Sequence, residues 1–165
     1  MKKLFITLGA FFVAIVILGV AYQNQGLVNQ DVTYDSSKSE DIYIAVDTHA
    51  VRVELADTNT KKARGLSGRK YLGVDDGMLF DLRNDNYPHT FWMKDMLIPI
   101  DIIWINDGKI IQIDEEVQPP PPNTPDDKLE KLSVTEKVDY VLEVNAGYAK
   151  THDIKKGDPF KFIEN

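Results

Sequence analysis

The 165-residue chain has no cysteine, which excludes disulfides, thiolate metal centres and cysteine nucleophiles. A chain without thiols tolerates an oxidising compartment but does not require one. Positive charge is also scarce: 19 Lys and Arg stand against 26 Asp and Glu, a net charge of −7. Residues 1–21 hold two lysines and no acid, so the remainder carries −9. A nucleic-acid partner needs clustered Lys and Arg and is not expected. The sequence has no Walker loop, dinucleotide fingerprint or His-Glu-x-x-His, and no cofactor is expected. Gly65-Leu66-Ser67-Gly68 is not a nucleophile elbow, because its second glycine comes one residue early. No internal repeat is present.

There is one long apolar run, Leu4 to Tyr22, preceded by Lys2 and Lys3. About 20 apolar residues span a bilayer as a helix, and lysines before the span hold that end in the cytoplasm. Residues 1–22 are therefore expected to be a signal-anchor, with the bilayer as partner through residues 4–22 and the C-terminal domain outside the cytoplasm. The alternative is a signal peptide cleaved near Ala21, after the small residues Gly19-Val20-Ala21, giving a secreted protein. Residues 23–41 are polar and without apolar periodicity, a tether rather than a domain.

From residue 42 to 165 the pattern is that of short strands. Ile42–Val46 is β-rich, and Val51-Arg52-Val53-Glu54-Leu55 alternates apolar and charged residues. Asp57 or Thr58 can cap a short helix over Asn59 to Arg64 that Gly65 stops. Met78–Phe80 reads as a strand after the Asp75-Asp76-Gly77 turn. Asn106-Asp107-Gly108 joins Ile102–Ile105 to Lys109–Ile113 as a hairpin. Glu115 to Lys137, with prolines at 119–122, reads as a surface excursion. Tyr140–Val144 is another strand, Asn145 can cap a helix over Ala146 to His152, and Pro159–Ile163 ends the domain. These elements predict an α+β, mainly antiparallel domain, a compact or partly closed barrel with two short helices, preceded by one N-terminal transmembrane helix.

The chemistry centres on Thr90 to Ile105, an aromatic and aliphatic stretch that nonetheless carries Lys94, Asp95 and Asp101. Taken as a strand from Ile98, it places Ile98, Ile100, Ile102 and Trp104 on one face and Asp101 with Ile103 and Ile105 on the other. A carboxylate in that row needs a cation or backbone N–H groups to hold its charge. Lys94, Arg64 and Arg69 are the candidate cations. Asp101 is then either a general base or ligand anchor, or a structural carboxylate tying the Gly65–Arg69 turn or the Lys94 loop to the sheet. Met78, His89, Trp92, Met93 and Met96 form a softer group. Thioether and imidazole suit Cu(I), although methionine among aromatics usually fills a core. His49 and His152 read as surface residues, and Asp114-Glu115-Glu116 as a solvated face.

Arg64-Gly65-Leu66, Gly77-Met78-Leu79-Phe80, Phe91-Trp92-Met93-Lys94 and Ile98-Pro99-Ile100-Asp101 together resemble the pattern of domain of unknown function 192. Leu142-Glu143-Val144-Asn145-Ala146-Gly147 and Ile154-Lys155-Lys156-Gly157-Asp158 resemble its C-terminal half. The resemblance covers Val51 to Phe162. It implies a small, mostly β fold, often behind an export or membrane segment, and no assigned activity. Ser67 departs from the methionine expected at its place, and the Glu115–Lys137 stretch is longer than expected.

The leading functional expectation is a membrane-tethered extracytoplasmic domain that binds a small ligand or protein partner in a cleft. Trp92, Lys94, Asp101, Arg64 and Arg69 would form that site. The alternatives are a hydrolase or lyase with Asp101 as general base, and Cu(I) binding through Met78, His89 and Met93.

Overall fold

The structure, a computed structural model, describes residues 41–85 and 88–164. The expected anchor, residues 1–22, and nearly all of the tether, residues 23–41, lie outside the described residues. Among the described residues no helix is long and apolar enough to cross a membrane.

Seven strands form one sheet: β1 (Ile42–Val46), β2 (His49–Ala56), β3 (Asp76–Asp81), β4 (Ile100–Asn106), β5 (Lys109–Val117), β6 (Tyr140–Asn145) and β7 (Phe160–Phe162). Their order is β5-β4-β6-β3-β2-β1-β7. Every pairing is antiparallel except β2 with β3. That parallel pair requires a crossover, supplied by helix α1 (Asn59–Arg64) and the turn after it. Thr58 caps α1 by accepting from the Lys61 N–H, and Gly65 ends it at φ +50°.

The sheet curls into a half-barrel. Its two edges meet at one end, where Ile110 N–H donates to Asp158 and Phe160 N–H to Gly108. Alternation along the strands divides the core into two faces. Ile44, Val46, Val51, Val53, Leu79, Ile103, Ile105, Leu142 and Val144 fill the inside of the curl, together with Tyr148 and Ala149 of helix α2 (Tyr148–Thr151). Met78, Phe80, Ile100, Ile102, Trp104 and Val141 face outward and are covered by the 66–98 segments through Leu66, Leu72, Leu82, Met93 and Met96. The sheet is thus buried on both faces around β4, where six of the seven residues are buried.

Several details differ from expectation. Strand β4 begins at Ile100, not Ile98, because Pro99 lacks the N–H a ladder needs. β5 runs on to Val117, so Glu115 and Glu116 belong to the sheet and not to the excursion, which contains only a short 3-10 turn at Asp126–Lys128. α2 spans four residues and takes no side-chain cap from its own N-cap residue, Gly147. Asn145 instead donates to the Leu72 and Gly73 carbonyls. His49 and His152 are both half-buried, and their rings meet at a tilt with centroids 4.4 Å apart.

Candidate functional site

Asp101 lies on the inward-facing side of β4 and is fully buried. Its Oδ1 accepts from the N–H groups of Glu116 (2.8 Å) and Gly147 (2.9 Å), and its Oδ2 from that of Ala149 (2.9 Å). Gly147 sits at φ +80° and has no side chain to cap α2, so Asp101 supplies the missing cap from a neighbouring strand. The same carboxylate pins the β5 bulge, where Glu116 adopts φ +52°. Asp101 is therefore a structural carboxylate, and it does not line the cavity that Trp92 borders. A general base needs a path to substrate, and full burial with both oxygens held by backbone N–H groups weighs against that role. The turn after α1 is tied to the Lys94 loop by other atoms: Ser67 Oγ donates to the Lys94 carbonyl at 2.9 Å, and Gly68 N–H to Asp95 at 2.8 Å.

The expected cations are largely committed. Arg69 pairs with Glu54, which holds the Glu54 carboxylate below its usual range. Lys94 pairs with Asp126 and lies over the Trp92 ring at 5.7 Å from its centroid. Arg64 stays exposed on the wall of a cavity of about 330 Å³. Trp92, 44% exposed, also lines that cavity, as does His89. Burial lowers the His89 pKa, with Asp85 opposing the effect and Lys62 adding to it. Of the soft group, Met78 and Met93 are packed in the outer-face core and neither lines the cavity that His89 borders. Among the described residues no three His, Asp or Glu gather in a way that could hold a metal.

The cavity has a floor that sequence reasoning missed. Glu143, on β6, is 6% exposed, and its Oε2 is buried with no hydrogen-bond partner. It stands in a row across the outer face, Glu54–Met78–Glu143–Ile102–Asp114, set by the strand registers. Glu54 and Asp114 at the ends of that row have their own donors, Arg69 and the Trp104 indole. Glu143 has only the more distant field of Arg69. Burial therefore dominates and pushes its pKa from 4.5 up to about 8. Above it lie Gly65, Leu66 and Ser67, the aromatic rings of Phe80, Phe91 and Trp92, and the Lys62–Asp85 ion pair (2.6 Å). Phe91 stacks edge-on against both Phe80 (5.0 Å) and Trp104 (5.4 Å), which fixes the aromatic wall. The positive φ of Gly65 favours glycine here, and a Cβ would touch the Phe80 ring at 3.4 Å and Glu143 Oε2 at 4.0 Å, both ordinary contact distances. In Val-Leu-Glu-Val the acid occupied a slot that alternation assigns to a wet face, so the sequence offered no signal that it would be covered.

These features define a small β half-barrel with an aromatic-walled, acid-floored pocket on the outer face of its sheet. The chain belongs to the domain of unknown function 192 family, described as Uncharacterized ACR, whose model matches residues 42–162. No curated protein matches it. It is similar in structure to a Sinorhizobium meliloti protein described only provisionally as a transcription regulator, at TM-score 0.65 and 31% identity over 74% of this chain and 93% of that one. It is similar also to a protein of unknown function from Novosphingobium aromaticivorans, at TM-score 0.64 and 33% identity over 73% of this chain and 84% of that one.

Proposed function

We propose that the domain is a binding module for a small ligand, held outside the cytoplasm by the apolar run Leu4–Tyr22. The observation that carries the binding reading is a partly exposed tryptophan at the mouth of a concave, aromatic site floored by an unpartnered acid. An aromatic wall with a few convergent polar groups is the usual composition of a ligand pocket. At about 330 Å³ the cavity lies near the lower end of the roughly 300–1,000 Å³ that such pockets span. The ligand is therefore small, of single-ring size. The site expected around Trp92 and Arg64 is kept in this reading. Lys94 orients Trp92 from the side, while Asp101 and Arg69 hold the scaffold. The membrane tether rests on the sequence alone.

The test uses residues 41–165. The Sinorhizobium meliloti structure, matched over 93% of its chain, consists of little more than this domain. The Trp92 indole resonance is followed while sugars, amides and small organic acids are added, with Trp92→Ala supplying the assignment. The proposal expects at least one class to shift that resonance in a saturable way. A panel that leaves Trp92 and Gly65 unmoved would refute it.

A further inference from the structure

We propose that the Glu143 side chain recognises the ligand as a carboxylic acid, donating a hydrogen bond to a neutral, single-ring molecule that bears hydroxyl or amide carbonyl acceptors, as a sugar does. This deepens the binding reading above and rests on it.

The geometry supports the choice of a donor. A buried carboxyl with no partner for Oε2 is an unstable arrangement that a core would normally replace by an apolar side chain. Here it borders a cavity and lies beneath a glycine that leaves room over it. A half-turn of the carboxyl exchanges its two oxygens, so either can present the proton. The raised pKa agrees, since the acid keeps its proton at pH 7.

The charged groups facing Glu143 from each packed element argue against a charged ligand. From α1 and its following turn come Lys62, Arg64 and Arg69; from β2 comes Glu54; from the β3–β4 loop come Asp85 and His89; from β5 comes Asp114. Lys62 and Arg69 are already paired with Asp85 and Glu54, which leaves an anion only the solvent-exposed Arg64, and the net charge of −6 over residues 42–165 opposes it at long range. An ammonium would meet Arg64 at the wall and Lys94 already over the Trp92 face. A neutral ring can lie against Trp92 and give its acceptors to Glu143.

The experiment compares three probes of one ring shape: N-acetylglucosamine, glucosamine and glucuronate. Each is titrated into residues 41–165 and followed at Trp92 and Gly65. N-acetylglucosamine is expected to bind at least tenfold more tightly than either charged sugar. Its affinity should fall about tenfold per pH unit above pH 8, as the acid ionises. Glu143→Gln, which still donates, should bind and lose the pH dependence, while Glu143→Ala should lose binding. Tighter binding of a charged probe overturns the inference. So does unchanged binding by Glu143→Ala, although the binding module itself then stands. If none of the three probes moves Trp92 or Gly65, the inference also fails, and the wider panel then decides whether the binding reading fails with it.

Discussion

Replacing Glu143 by glutamine should stabilise the domain, and by an amount that depends on pH in a defined way. The folded state keeps the Glu143 proton up to about pH 8, whereas the unfolded chain releases it near 4.5. Between these values unfolding releases a proton, so the wild type loses stability as pH rises. At about 1.4 kcal/mol per pH unit, the loss reaches about 3 kcal/mol at pH 7 and levels off above pH 8. Glutamine has nearly the same shape and no proton to release, so it escapes this loss. The difference between Glu143→Gln and wild type should be near zero at pH 4.5 and grow to about 3 kcal/mol at pH 7. For a domain of this size that raises Tm by on the order of 10 °C. Urea melts of residues 41–165 at half-unit steps from pH 4.5 to 8.5 measure it, and subtracting the two proteins cancels every other titrating group. A difference that stays flat across this range would show that Glu143 is solvated or paired in solution, and the acid-floored pocket would have to be abandoned. A stabilising change that leaves ligand binding in place but removes its pH dependence is the expected mark of a residue kept for function.

Asp101 should behave in the opposite manner. Asp101→Asn places a donor among three buried N–H groups and should destabilise the domain by about 3 kcal/mol at pH 7, read by urea melts; a loss below 1 kcal/mol would contradict the capping role. Gly65→Ala forces a side chain into a positive-φ position against Phe80, and a loss of about 1 kcal/mol with weaker ligand binding is expected from melts and titration. Trp92→Ala, at a half-exposed position, should change stability by less than about 1 kcal/mol while removing ligand-induced shifts at Gly65; a large stability loss would mean the indole is a core residue.

The strands were legible where alternation was clean and turns were chemically explicit. Asn106-Asp107-Gly108 announced the β4–β5 hairpin, and Thr58 with Gly65 bounded α1 at the residues observed. The choice of faces along β4 also held, with Asp101 on the side of Ile103 and Ile105. What local pattern could not convey was pairing across distance. β6 lies between β3 and β4, and the loops from 66 to 98 fold back over the outer face, so both sides of the central strands are dry. That covering turned Glu143 from an apparent surface residue into a buried acid. It also let Asp101 find its donors in β5 and α2, 15 to 48 residues away, rather than in Lys94 or Arg69. Charged residues within a sheet take their roles from these distant neighbours, which is why Asp101 looked like the functional acid and Glu143 did not.

The most direct measurement is the titration of the Glu143 side-chain carboxyl by carbon NMR in residues 41–165, assigned by comparison with Glu143→Gln. The account predicts a midpoint near pH 8. A midpoint between 4 and 5 would mean that the carboxyl is ionised at neutral pH, and both the donor role and the pocket built around it would be contradicted.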